Sequence, residues 1–165
     1  MGQPRRSKRF ALDTNVLYAL AGGENWAHAF REKFQERGFA LFATPTVIEE
    51  LAHAATEKEG EEQALAGVAL RDLRGWGATP LPLSPVEHGI AEKVAREAIW
   101  RCKLPSDELH DALILAEASL CDLPVLVTSD RHLLDADSDA ISLCLANFDL
   151  PPVNVAHPKA LLRAA

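Results

Sequence analysis

The stretch Arg9 to Tyr18, RFALDTNVLY, decides how the rest of the chain is read. Phe10, Ala11 and Leu12 form a short apolar run of the kind that makes a buried strand. The run breaks into Asp13, Thr14 and Asn15, three small polar groups, before Val16, Leu17 and Tyr18 restore apolar character. Asp and Asn favour turns and helix starts because their side-chain oxygens accept from nearby backbone N–H groups. Asp13 is therefore expected at the carboxyl end of a strand, where the chain turns into a helix. In open α/β sheets that edge is where ligands bind. A single Asp there serves equally well as a helix cap, so a functional reading requires other carboxylates at the same edge.

Working outward, Glu24 to Arg37 carries Trp26, Phe30 and Phe34 four apart, a helical spacing, and Gly38 ends it. Phe39 to Phe42 is a second strand candidate. Thr44-Pro45 opens a helix with proline at its first position, running through Val47, Ile48, Leu51 and Ala55 and carrying Glu49 and Glu50. Glu61 to Arg74 is a further helix. Thr79 to Leu83, with two prolines, is an edge strand at best. Ser84 and Glu87 form a helix-start box, and that helix is expected to reach about Trp100. Pro105 and Ser106 open the next, predicted from Asp107 to about Leu120. Pro124 to Thr128, PVLVT, is the clearest strand, ending in Ser129-Asp130. The acidic segment from Asp135 to Asp149 contains a strand candidate at Ile141 to Leu145. Val153 to Val155 is a last strand and Pro158 to Leu162 a last helical turn. Short apolar strands alternating with helices predict an α/β layer sandwich around a mostly parallel sheet.

At 165 residues the chain suits one domain spanning 1–165, with residues 1–8 as a flexible basic leader. The formal net charge of −7 opposes simple electrostatic attraction to nucleic acid. A polyanionic substrate would need bound cations or a local basic patch, and the obvious basic cluster is Arg5, Arg6, Lys8 and Arg9. Cys102, Cys121 and Cys144 are widely spaced and include no C-x-x-C pair. This argues against a zinc site or a disulfide framework and for thiols in a reducing compartment. No apolar run approaches the roughly 18 residues that span a bilayer, and the opening lacks the apolar stretch of a signal peptide. No membrane association and a cytoplasmic location are expected. Trp26, Trp76 and Trp100 are read as packing groups.

In a parallel sheet, the strands ending at Leu12 and Thr128 deliver Asp13 and Asp130 to the same edge. Asp111 sits among Ala112, Leu113, Leu115 and Ala116, with Asp107 four residues before it. Glu50 lies between Ile48 and Leu51. An acid in such a setting is costly unless paired, hydrated or metal-bound. Carboxylates crowded together repel and retain protons unless cations compensate. Hard ions such as Mg²⁺ or Mn²⁺ prefer this all-oxygen environment.

The segments LDTNVL, TVIEEL, HDALILAEA and VLVTSDRHLL, followed by HPKALL, come in the order and approximate spacing of a PIN domain. The chain resembles that family over nearly its whole length. The resemblance implies a three-layer α/β/α sandwich with a mostly parallel central sheet. It also implies a metal-dependent endoribonuclease, of the VapC-like kind that forms the toxin half of bacterial toxin–antitoxin pairs. On this resemblance Asp13, Glu50, Asp111 and Asp130 form an acidic site for Mg²⁺ or Mn²⁺, and water attacks phosphorus with the 3′-oxygen leaving. Asn15 and Ser129 are implied as supporting polar groups, and Asp107 as a helix-start residue or secondary ligand. Glu50 is preferred to Glu49 because the family places Leu directly after this acid. RNA, an antitoxin protein and a second copy of the chain in a homodimer are the implied partners.

Three rival readings remain. His110-Asp111 resembles the HD pair of metal phosphohydrolases, but that class is all-helical and needs further patterned histidines. A phosphotransferase with a D-x-D strand end would need a second Asp where Asn15 stands. A PIN-fold RNA-binding or scaffold module without turnover would keep the architecture without the chemistry.

Overall fold

The computed structural model describes residues 5–165. Five short strands form one sheet: β1 (Arg9–Leu12), β2 (Ala40–Ala43), β3 (Ala78–Pro80), β4 (Val125–Val127) and β5 (Asn154–Ala156). All neighbours pair in parallel, in the order β3-β2-β1-β4-β5. Helices α1 (Thr14–Ala21), α2 (Asn25–Glu36), α3 (Pro45–Glu57), α4 (Gly60–Asp72) and α5 (Pro85–Arg101) come before β4, as does α6 (Leu109–Leu120). The one-turn α7 (Arg131–Leu134), α8 (Ser138–Ala146) and α9 (Pro158–Ala164) follow it. The result is the three-layer α/β/α sandwich, in which α3 packs on α4 and α6, α5 on α6 and α8, and α2 on α9.

The order of the strands positions the site. The chain proceeds outward from β1 to β3, then returns to lay β4 on the other side of β1. The reversal falls between β1 and β4, whose register pairs Leu12 with Val127. Such a reversal opens a crevice at the carboxyl ends of the strands. The two central strands are short and almost fully apolar because both faces are covered. Phe10 of β1 meets Phe34 and Phe30 of α2 and Phe39, with ring centroids 4.6 Å apart in the Phe10–Phe39 pair. The capping box at α5 forms as its residues dictate: the Glu87 N–H donates to Ser84 Oγ and the Ser84 N–H to Glu87 Oε1.

Several expectations are corrected. Ile141 to Leu145 is not a strand but the body of α8. Asp137 caps it by accepting from the N–H groups of Asp139 and Ala140, and Ile141, Cys144 and Leu145 are buried at helical spacing. Helix α6 starts at Leu109, two residues later than predicted, which leaves Asp107 in an exposed turn. Of the leader expected over 1–8, residues 1–4 lie outside the described residues. Arg6–Lys8 form a 3₁₀ turn tied to the fold, in which Arg6 pairs with Asp122 and Lys8 Nζ donates to the Arg37 carbonyl at 2.8 Å. Arg9 lies over the Phe42 ring. These cations gather at the amino ends of the strands, away from the crevice. Trp100 does not pack; it is 83% exposed at the end of α5. No helix among the described residues is long and apolar enough to cross a membrane.

Candidate metal centre

Asp13 emerges from β1 and caps α1, as its place in the sequence suggests, and is only 2% exposed. A carboxylate there needs donors, and three surround it. The Thr14 N–H donates to Oδ1 at 2.7 Å, while the Thr128 hydroxyl and the Asn15 amide donate to Oδ2 at 2.7 and 3.2 Å. Thr128 follows β4 directly and is fully buried. Its hydroxyl also accepts from Asn15 Nδ2 and from the Asp130 N–H, both at 3.0 Å. Asn15 completes the seam by accepting the Ser129 N–H at 3.1 Å. Ser129 therefore contributes its backbone to this seam.

Glu50 reaches the same edge from α3. Thr14 donates its hydroxyl to Glu50 Oε2 at 2.6 Å, and Glu50 Oε1 lies 3.2 Å from His110 Nδ1. Its neighbour Glu49 is exposed. Asp130 caps α7 and accepts the His132 N–H at 2.7 Å. Asp111, in the first turn of α6, faces the side chains of Glu108 and Asp130 and feels the charge of Asp13. Four acids that are distant along the chain thus share one crevice with Glu108. Asp107 lies in the exposed turn before α6.

The electrostatics follow from crowding. Burial is the main cause that pushes Asp13 up to about 6, against the lowering effect of its hydrogen bonds, with Glu50 and Asp130 adding repulsion. Asp111 is driven far above the usual carboxylate range by burial first, then by Glu108 and Asp130, which it can satisfy only by keeping a proton. Such a cluster stores repulsion that a cation relieves. The donors are carboxylate oxygens, the set that suits a hard divalent ion such as Mg²⁺ or Mn²⁺. Among the described residues, the potential ligand atoms that lie within 4.8 Å of one another in a group of three are those of Glu108, Asp130 and His132, with His132 Nδ1 2.8 Å from Glu108 Oε1. Of the four expected acids only Asp130 belongs to it, and Asp13, Glu50 and Asp111 join it through their charge. The residues present therefore fit a divalent ion.

Thr14, Thr128, Glu108 and His132 are site residues that sequence reasoning missed. Thr128 reads as one more β-branched strand residue, although its place directly before Ser129-Asp130 is a signal. Glu108 stands three residues before Asp111, a spacing that shares a helix face, and this signal was passed over in favour of Asp107 at four. Beside Glu50 a cavity of about 580 Å³ opens, lined by Thr14, Tyr18, His53, Lys58 and His110 among others.

The PIN domain family model matches residues 10–138. Two solved structures share the fold. One is VapBC2 from Rickettsia felis bound to a DNA fragment from its promoter. The match has a TM-score of 0.60 and 16% identity, covering 90% of this chain and 98% of that one. The other, VapBC-1 from nontypeable Haemophilus influenzae, gives a TM-score of 0.53 at 13% identity, covering 92% and 98% respectively. No curated protein matches the chain.

Proposed function

The chain belongs to the PIN domain family, and from that membership we propose that it is a metal-dependent endoribonuclease hydrolysing RNA phosphodiester bonds. The observation that carries this reading is the crowding of Asp13, Glu50, Asp111 and Asp130 in one crevice, with Asp13 buried and its carboxyl pushed up to about 6. These four acids would hold Mg²⁺ or Mn²⁺, with Asn15, Ser129 and Thr128 supporting Asp13 and Asp130. When bound, such an ion supplies positive charge against phosphate oxygens and acidifies water for attack on phosphorus.

The residues of the chain do the positioning. Thr14 and Thr128 fix both oxygens of Asp13, so its carboxylate cannot rotate away from the crevice. The Thr14 hydroxyl occupies one oxygen of Glu50 and turns it toward the same space. The ion-free cluster keeps a proton on Asp111, which lets the acids coexist. The adjoining cavity is within the size range of small-molecule sites, with Lys58 facing it among Glu49, Glu50 and Glu62.

The proposal extends to biology. The two VapBC neighbours support a toxin role with an antitoxin partner; the same reading takes the acidic edge as the antitoxin's target, a homodimer as the working form and the cytoplasm as its place. The test is incubation with single-stranded and structured RNA under Mn²⁺, under Mg²⁺ and with EDTA. Cleavage is expected with either ion, and chelation or Asp13→Asn should reduce it more than about 100-fold, beyond the loss typical of an outer-shell partner. RNA binding without cleavage under any ion would replace the enzyme by a binding module.

A further inference from the structure

Glu117 lies on α6, 2% exposed, among Leu115, Ala116 and Ala118. Burying a carboxylate is costly unless donors meet it, and here both donors come from one residue on another helix. The Thr46 N–H donates to Glu117 Oε1 at 3.0 Å and the Thr46 hydroxyl to Oε2 at 2.7 Å. Thr46 is the second residue of α3, where N–H groups have no partner inside the helix. The residue that should close this end, Thr44, makes no side-chain cap, and its buried hydroxyl, without a well-formed hydrogen bond, lies toward Glu117 as well. Glu117 thus serves from outside as the cap that α3 lacks.

The two helices joined in this way are the ones that bring Glu50 and Asp111 to the crevice. Thr46 stands one turn before Glu50 on α3, and Glu117 follows Asp111 on α6 by six residues. We propose that Glu117 is a positioning residue for the metal centre, whose two-point grip on the start of α3 sets where Glu50 stands relative to Asp111. The inference rests on the reading of that crevice as a metal site. A residue that served only to fill space would be apolar here, like its neighbours on α6. The carboxylate instead fixes a direction and a register, which packing of Ala and Leu side chains leaves loose.

The test is Mn²⁺ calorimetry without RNA on the wild type, Glu117→Leu, Glu117→Gln, Thr46→Val and Phe30→Leu. Glu117→Leu should weaken Mn²⁺ binding about tenfold, the lower end of what outer-shell partners supply. Glu117→Gln should keep wild-type affinity, because its carbonyl accepts the Thr46 N–H and its amide donates to the hydroxyl. Phe30→Leu softens the core on α2, away from this grip, and should also keep wild-type affinity. The proposal is overturned if Glu117→Leu binds as the wild type does, or if Phe30→Leu weakens binding equally. Should Glu117→Leu not fold, Thr46→Val must weaken binding while Glu117→Gln does not, and equal affinities overturn the idea. Absence of heat with the wild type would sink the metal reading itself, and this inference with it.

Discussion

Thr128 donates its hydroxyl to Asp13 Oδ2 at 2.7 Å, joining the ends of β1 and β4 across the reversal in strand order. The same oxygen accepts from Asn15 and from the Asp130 N–H, so one hydroxyl holds both strand-end aspartates. Thr128→Val keeps the shape and strands three polar groups. A loss of about 1–3 kcal/mol is expected from the unsatisfied partners, together with Mn²⁺ binding weaker by about 10- to 100-fold. Thr128→Ser should preserve both. Denaturant melts and calorimetry read the two effects, and a harmless valine would refute this role.

Stability in the absence of metal should fall as pH rises. Asp13 titrates at 3.8 in ordinary surroundings and at about 6 here, so between those values the native state binds more protons than the unfolded chain. The penalty grows through that window and reaches about 3 kcal/mol above it, at about 1.4 kcal/mol per pH unit; Asp111, raised further, extends it upward. EDTA-treated protein should melt higher at pH 5 than at pH 8, with the trend reduced in Asp13→Asn. Mn²⁺ should raise the melting point more at pH 8. A flat or inverted profile for the wild type relative to Asp13→Asn would contradict this electrostatic account.

Glu108 and Asp107 should separate cleanly. Glu108 is a neighbour of Asp111 and bonds His132, so Glu108→Gln is expected to weaken Mn²⁺ binding about tenfold. Asp107, exposed in the turn before α6, should tolerate Asn without change. Calorimetry showing the reverse order would restore the residue favoured by helical spacing.

The α8 segment offers a purely structural check. Asp137 accepts from two N–H groups at the helix start, so Asp137→Ala should cost about 0.5–2 kcal/mol and leave metal affinity alone. Denaturant unfolding that is indifferent to this change would mean the cap does not hold the segment.

What could be read from the residues divides along physical lines. The strand ends at Asp13 and Asp130 were legible because an apolar run stopping at Asp is a local event. The start of α5 was legible because the Ser84–Glu87 box is complete within four residues. Ile141 to Leu145 misled because a short apolar run suits a buried strand or a buried helix face equally; Asp137 held the deciding information. The start of α6 misled because Pro105-Ser106 is a good opening that the chain does not use. Thr128, Arg6 and Glu117 were beyond local reading, since each owes its role to a partner 71 or more positions away. Trp100 was assigned to packing by residue type alone, and type does not fix exposure.

The arginines and lysine folded back at the amino ends of the strands have a consequence for assembly order. The crevice gathers Asp13, Glu50, Asp111 and Asp130, while Lys8 and Arg9 are held at the start of β1 by the Arg37 carbonyl and the Phe42 ring. A polyanion approaching those acids without cations meets repulsion. On the nuclease reading proposed above, divalent charge would have to settle in the crevice before a nucleic acid strand is welcome there, so that reading expects ion first and strand second.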